Sequence, residues 1–290
     1  MGRSLRWGRR YLMVRPEHFR VDYVINPYMS VTDQPDPELT MRQWEALREA
    51  IVAAGGAVEV LEQRADSPDM VYAMNLGLAD SQHRVMLSHM RFAPRRNEAL
   101  SSEPWFIRHG FEVLRTGADG IGAHFESGDA FAFGDSLVVG YGPRTDSDAL
   151  KQIANEWDVR VRGLRIVHDG MYHLDLPFCP VDSTHALVYP PAFDAAGRAE
   201  LERIVPEPIV LTDEEASAFS ANSIVVNDTI IMPACSLRLQ RELTALGLRV
   251  VVLELSEFHK GGGSVRCLTN PLDFDLSAAY VAGGEVHLPS

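Results

Sequence analysis

Cysteine is scarce in this chain of 290 residues: three residues, at positions 179, 235 and 267. An odd number at wide spacing excludes a disulfide framework and shows no paired zinc-ligand spacing. Long apolar runs are missing too, and none reaches the roughly 20 residues of a membrane span. Net positive charge is absent, the formal charge being −13. That disfavours nucleic acid and anionic lipid, which need basic faces, and suits a small cationic substrate drawn to an acidic cleft. The start, Met1 to Arg10, is basic, but Tyr11 to Val14 is too short for a signal core. A cytoplasmic protein is expected, and a homo-oligomer is left open. No linker or low-complexity segment marks a second domain.

What is present is a repeat of pattern rather than of letters. Helical spacing of apolar residues appears at 37–54, 96–108, 146–157, 195–205 and 236–246, with Trp44, Leu47 and Ile51 as one stripe. Glycines at 55, 110 and 247 supply stop signals. Each helix precedes a β-rich segment, at 58–61, 111–114, 159–167, 208–211 and 248–255. A polar or glycine-rich loop and two further strands follow, with turn dipeptides Gly134-Asp135 and Asn227-Asp228 between apolar runs. These pairs read as 70–75 with 84–87, 123–133 with 137–139, 171–176 with 185–189, and 223–226 with 229–232. The fifth pair joins 264–269 to 11–14, closing a ring by the two ends of the chain. The fold class expected is α/β: one domain of five pseudo-symmetric ββαβ units, spanning 11–276, with an N-terminal extension at 1–10 and a tail at 277–290. Doubly wound α/β competes but leaves the hairpins unexplained.

In such a ring, equivalent loops converge on one axis. They carry Asn75, Glu126 with Asp129, His173 with Asp175, Asn222 and Cys267. Each has a plain explanation alone: a turn former, a core histidine, a small buried thiol. Read as a strand, His173-x-Asp175 puts both side chains on one face. Lys260-Gly-Gly-Gly-Ser-Val-Arg-Cys267 offers backbone freedom and amide groups that could lower a thiol pKa. A thiol with a histidine partner is a nucleophile with its acid and base. Inward carboxylates suit a guanidinium, whose planar fork they can grip in pairs. Metal-dependent hydrolysis through His124, Glu126, Asp129 and His173 fits no zinc signature and leaves Cys267 idle. A non-enzymatic ring would leave the inward carboxylates unexplained.

The combination of Phe125-Glu-Ser-Gly-Asp129, His173-x-Asp175 and Cys267 after glycines resembles the guanidino-group-modifying superfamily, the pentein α/β-propellers, over about Tyr11 to Leu272. The resemblance implies a cofactor-free hydrolase with Cys267 as nucleophile, His173 as general acid and base, and Glu126 and Asp175 as guanidinium contacts. Asp129 belongs to the same substrate-binding set. Ala93-Pro-Arg-Arg-Asn-Glu98 and Gly140-Tyr-Gly-Pro-Arg144-Thr are similar to segments of the dimethylarginine hydrolases, which implies Arg96 and Arg144 as receivers of the substrate carboxylate. Asn75, where citrulline-forming members place an acid, together with Asn26 in Asp22-Tyr-Val-Ile-Asn26-Pro, is similar instead to arginine dihydrolase. That implies ornithine, ammonia and CO2 as products; the alternative is citrulline from arginine or methylated arginine.

Overall fold

A computed structural model describes residues 4–289. Strand β1 (Arg10–Val14), helix α1 (Pro37–Ala53) and strand β2 (Ala57–Leu61) come first, followed by β3 (Gly77–Ala79), β4 (Arg84–Leu87), α2 (Arg96–Arg108) and β5 (Glu112–Arg115). After a small exposed hairpin of β6 (Gly117–Ala118) and β7 (Ile121–Gly122) come β8 (Ala130–Phe133), β9 (Ser136–Tyr141), α3 (Ser147–Trp157) and β10 (Arg160–Arg165). Next are β11 (Phe178–Pro180), β12 (His185–Val188), α4 (Ala195–Ile204) and β13 (Glu207–Val210). A short α5 (Asp213–Ser217) leads to β14 (Ile224–Val226), β15 (Thr229–Met232), α6 (Leu237–Ala245) and β16 (Arg249–Val252). The chain ends with α7 (Ser256–His259), β17 (Asn270–Pro271) and β18 (Glu285–His287).

Five sheets share one plan: an antiparallel pair, then a parallel neighbour reached through a helix. They run β3-β4-β5, β8-β9-β10, β11-β12-β13, β14-β15-β16 and β17-β1-β2. The last closes the ring, with Tyr11 opposite Pro271 and Leu12 opposite Asn270. Side chains of Asp36, Asp194 and Ser236 accept from the backbone at Leu39, Gly197 and Leu239, which fixes where α1, α4 and α6 start. Gly55, Gly110 and Gly247 stop their helices with φ of 87, 81 and 87°. Trp44, Leu47 and Ile51 of α1 share one apolar cluster with Tyr11 and Met13 of β1 and Val226 of β14, so α1 buries its apolar stripe against the sheets.

Three expectations shift. The stretches 70–75 and 171–176, read as strands, are 3-10 and bent turns placed before β3 and β11. In 171–176 the backbone makes one bond across the ring, Asp175 N–H to Gly128 O at 3.0 Å, and one local turn bond, Leu176 N–H to His173 O at 3.2 Å. Residues 264–269 likewise turn, and only 270–271 pair with β1. The stretches at the two ends are also built into the ring. Leu5 and Trp7 are buried, and the Trp7 indole donates to Ala132 O at 3.0 Å. The stretch after 276 adds β18 alongside β10, Val161 facing Val286. Met1–Arg3 lie outside the described residues. No helix among the described residues is long and apolar enough to cross a membrane.

Candidate active site

The turns ahead of the five hairpins meet on the axis. Gly128 marks the centre: a Cβ built there would lie 3.0 Å from Asn75 Oδ1, 3.2 Å from Asp175 Oδ2 and 3.3 Å from His173 Nδ1. A side chain at 128 would displace all three, so glycine is required by close approach rather than by dihedral angle. Asn75 is held there, its Oδ1 accepting from Gly128 N–H at 3.0 Å. Its NH₂ is the group left to offer to a ligand.

Cys267 lies beside them, 3 % exposed. Its thiol points at Asp175 Oδ2 at 3.4 Å and accepts from Asn222 Nδ2 at 3.2 Å. Asn222 also takes the Cys267 N–H on its Oδ1 at 3.2 Å and donates to Asp175 O at 3.0 Å. Burial and the neighbouring Asp175 push the thiol well above its ordinary pKa, against the lowering pull of the Ser264 amide and Asn222. The expectation that the glycine amides would activate the thiol is corrected. Gly261, Gly262 and Gly263 spend their N–H groups on Phe258 and His259 carbonyls, the last at 3.4 Å. The glycines serve packing: Gly262 has φ +89°, and a Cβ on Gly263 would sit 2.4 Å from the Tyr72 ring. Tyr72 and Tyr172 hydroxyls donate to Phe258 O and Gly262 O, fixing the loop.

His173 donates through Nε2 to Glu126 Oε2 at 2.8 Å. That occupation leaves Nδ1 as the nitrogen for proton transfer. Glu126, fully buried, receives Arg144 Nη1 on Oε2 at 3.1 Å and Arg91 N–H on Oε1 at 3.1 Å. Burial alone would raise its pKa, but Arg144 and His173 outweigh burial and hold it far below the usual carboxylate range. Glu126 is thus engaged in orienting His173; neither Glu126 nor Asp175 lies in the pocket wall itself, but Asp175 Oδ2 stands 3.4 Å from the Cys267 sulfur, which does.

The pocket is a chamber of about 10 Å³ lined by Asn26, Asp69, Asn75, Arg95, Arg144 and Cys267 among others, with His173 in its wall. A larger open hollow of about 550 Å³ adjoins it, sharing Ile25, Asn26, Arg144 and Tyr172 as the partition. Arg144 is buried between the rings of Phe92 and Tyr172, at 4.7 and 4.6 Å. Asn26 clamps the partition to the glycine loop through Nδ2 to Gly261 O at 3.0 Å, and its Oδ1 holds the Tyr28 amide.

Two expectations are displaced. Arg96 opens α2 with its guanidinium folded back on Met90 O and Arg91 O, beside a different hollow. Arg95, one residue earlier in the preceding 3-10 turn, points inward and lines the pocket, paired with Glu98 at 2.7 Å. Asp129 also stays behind the wall. Its oxygens take Leu174 N–H at 2.8 Å and Thr145 Oγ1 at 2.7 Å, and burial pushes its pKa up to about 7. Asp129 thus braces the turn carrying His173 and Asp175.

Sequence reasoning missed Asp69, Tyr72, Arg95 and Tyr172. Asp69 is the notable one. Its Oδ2 accepts from Tyr23 Oη at 3.0 Å, while its buried Oδ1 has no partner. Its place in the same pre-hairpin turn as Asn75 is the signal that could have found it. Among the described residues, no group of three or more His, Cys, Asp or Glu could hold a metal ion. His124 Nδ1 bonds Asp146 Oδ2 at 2.8 Å.

A family model for N,N dimethylarginine dimethylhydrolase of the eukaryotic type matches residues 15–273. The chain belongs to this family. It is 33% identical over 261 residues to the N(G),N(G)-dimethylarginine dimethylaminohydrolase of Mycobacterium tuberculosis, covering 90% of this chain and 85% of that protein. It is also 37% identical over 266 residues to ArgZ, a bifunctional arginine dihydrolase/ornithine cyclodeaminase of Synechocystis, covering 90% of this chain and 37% of that longer protein. The crystal structure of the N-terminal domain of ArgZ bound to product overlays with a TM-score of 0.87 at 34% identity, covering 92% and 98% of the two chains. The family's pentein fold and its reaction class, hydrolysis of guanidino C–N bonds, are those expected from the sequence.

Proposed function

We propose that this chain is a cysteine-dependent arginine dihydrolase, converting L-arginine to ornithine, two ammonia and CO2. In this reading Asp175 and the NH₂ of Asn75 receive the reacting end of the substrate. Arg144 and Arg95 face its α-carboxylate, and the unpartnered Oδ1 of Asp69 accepts from its ammonium. The guanidinium brings positive charge to a thiol that burial otherwise keeps protonated.

His173 Nδ1 takes the Cys267 proton, and the sulfur forms a bond to the guanidine carbon. A C–N bond breaks, and ammonia leaves with a proton from His173 Nδ1. Water, losing a proton to the same nitrogen, attacks the thiouronium carbon, and the C–S bond breaks to give a ureido group. In the second round the sulfur attacks that ureido carbon and a second ammonia leaves. Water then releases a carbamate, which falls to ornithine and CO2. Two waters enter over the whole sequence.

The observation that carries the dihydrolase reading is Asn75. Its Oδ1 is taken by Gly128, so it presents an amide NH₂ beside Cys267, and an NH₂ can hold the neutral ureido oxygen that a carboxylate would repel. The family match supports a second reading, conversion of methylated arginine to citrulline. Product analysis decides between them. Ornithine with two ammonia per arginine supports the first; citrulline with one ammonia, or citrulline formed only from methylarginine, overturns it. Asn75→Asp should move the product from ornithine towards citrulline.

A further inference from the structure

Beside the nucleophile along the chain stands a charge that the reaction above does not use. Arg266 is wholly buried, and none of its three guanidinium nitrogens has a hydrogen-bond partner among the described residues. Its guanidinium carbon lies 4.6 Å from the ring centre of Phe131, 5.5 Å from Phe274 and 5.7 Å from Trp7. Aromatic faces attract a cation but replace only part of its hydration. A buried charge with no counter-ion is strongly destabilising, so this arrangement calls for an anion within range.

The titratable groups facing Arg266 are Asp175, Tyr11, Cys179 and Cys267. Only Asp175 among them is ordinarily an anion at neutral pH. Its Oδ1 has no partner either. One residue ties the two together. The Asn222 carbonyl accepts from Arg266 N–H at 3.2 Å, while its side chain donates to Asp175 O at 3.0 Å. Around Asp175 stand His173, Cys267, Tyr172 and Cys179, with Arg266 the one permanent cation. Burial raises the Asp175 pKa, and His173 and Arg266 oppose burial.

We propose that Arg266 is the counter-ion of Asp175, a positioning residue that keeps this carboxylate ionised and ready for a guanidinium from the closed side of the nucleophile. His173 cannot fill that place alone, because its charge comes and goes during proton transfer. The aromatic cage matters here. A guanidinium locked in a direct carboxylate pair is neutralised where it stands, whereas one held by rings projects its field through the low-dielectric interior.

The inference rests on the proposed roles of Cys267 and Asp175, so the test avoids turnover. Cys267 is alkylated with 2-chloroacetamidine, which carries an amidinium, and with neutral 2-chloroacetamide of the same size, and labelling is quantified by mass spectrometry. The rate ratio reads the charge on Asp175. The native protein should favour the amidinium reagent, and Asp175→Asn should abolish that preference. If the native protein shows none, the roles given to Asp175 and Cys267 fail, whatever Arg266 does.

Arg266→Met and Arg266→Gln should each lower the ratio about tenfold or more, the equivalent of one pKa unit. The sign is fixed. Loss of the cation raises the Asp175 pKa, so the preference should appear at higher pH. Arg266→Lys, which keeps a cation in place, should hold the ratio near its native value at neutral pH. Native ratios and midpoints in folded Met and Gln variants overturn the proposal. Should those two fail to fold, a folded Lys variant that has lost the preference at neutral pH overturns it.

Discussion

Two thiols of this protein, Cys179 and Cys267, are equally hidden and differently surrounded. Burial raises the pKa of both, Cys179 to about 12 and Cys267 well above its ordinary value. Cys179 sits in β11 opposite Leu187, its sulfur 3.3 Å from Ser223 O and 3.6 Å from Pro180 O. Carbonyl oxygens can only accept the S–H proton in a hydrogen bond; neither they nor the strand can carry it away. Cys267 sits in a turn, held by Asn222, beside a carboxylate, and it opens on a chamber whose wall includes His173. Burial does not separate a structural thiol from a reactive one. What separates them is a neighbour that can move a proton and room for a cation that favours the thiolate. A resting thiol that stays protonated until a cation arrives is also guarded against stray electrophiles.

Substituting each thiol and its support should break or sharpen that contrast. Cys267→Ser should lower kcat for ammonia release from arginine by at least about 10³-fold, as loss of a nucleophile does elsewhere; near-native turnover would put the chemistry at another residue. Asn222→Ala removes the bonds to Cys267 and Asp175 without touching either group. It should cost kcat about 10²-fold, the scale of a small misplacement of reacting atoms, while circular dichroism stays native. Labelling of Cys267 by neutral chloroacetamide in the free protein should climb steadily with pH and show no plateau below pH 9, since its thiol is raised. A plateau near neutrality would mean the thiolate exists without substrate. Cys179→Ala should leave kcat and KM unchanged and lower stability by about 1 kcal/mol in denaturant unfolding, the ordinary penalty of a small core truncation.

Helices and their ends were legible because apolar spacing and stop glycines are local properties. All five expected helices occur within one or two residues of their expected limits. The ring itself was readable from the repeated order of helix, strand and hairpin. The active-site turns were not. In Met70-Val-Tyr-Ala-Met-Asn75 apolar residues are packed from every side, so the letters look like a buried strand while the backbone makes two 3-10 turns. Arg95 and Arg96 cannot be told apart by composition, since which one points inward depends on α2 starting between them. Glu126 and Asp129 are near neighbours of the axis in sequence, yet one orients His173 and the other braces its turn. The distinction lies in partners from Arg144, Thr145 and Leu174, far along the chain. Arg266 is the extreme case. Nothing in Ser-Val-Arg-Cys announces that aromatics from positions 7, 131 and 274 will enclose it.

The seam between β17 and β1 has a bearing on synthesis. Cys267 and the strand that seals the circle follow every other active-site residue in the chain, so a polypeptide emerging from the ribosome holds His173, Glu126 and Asp175 well before it holds the Cys267 sulfur. Catalytic competence therefore arrives in a single late event, when the trailing segment docks beside Tyr11 and brings the nucleophile with it.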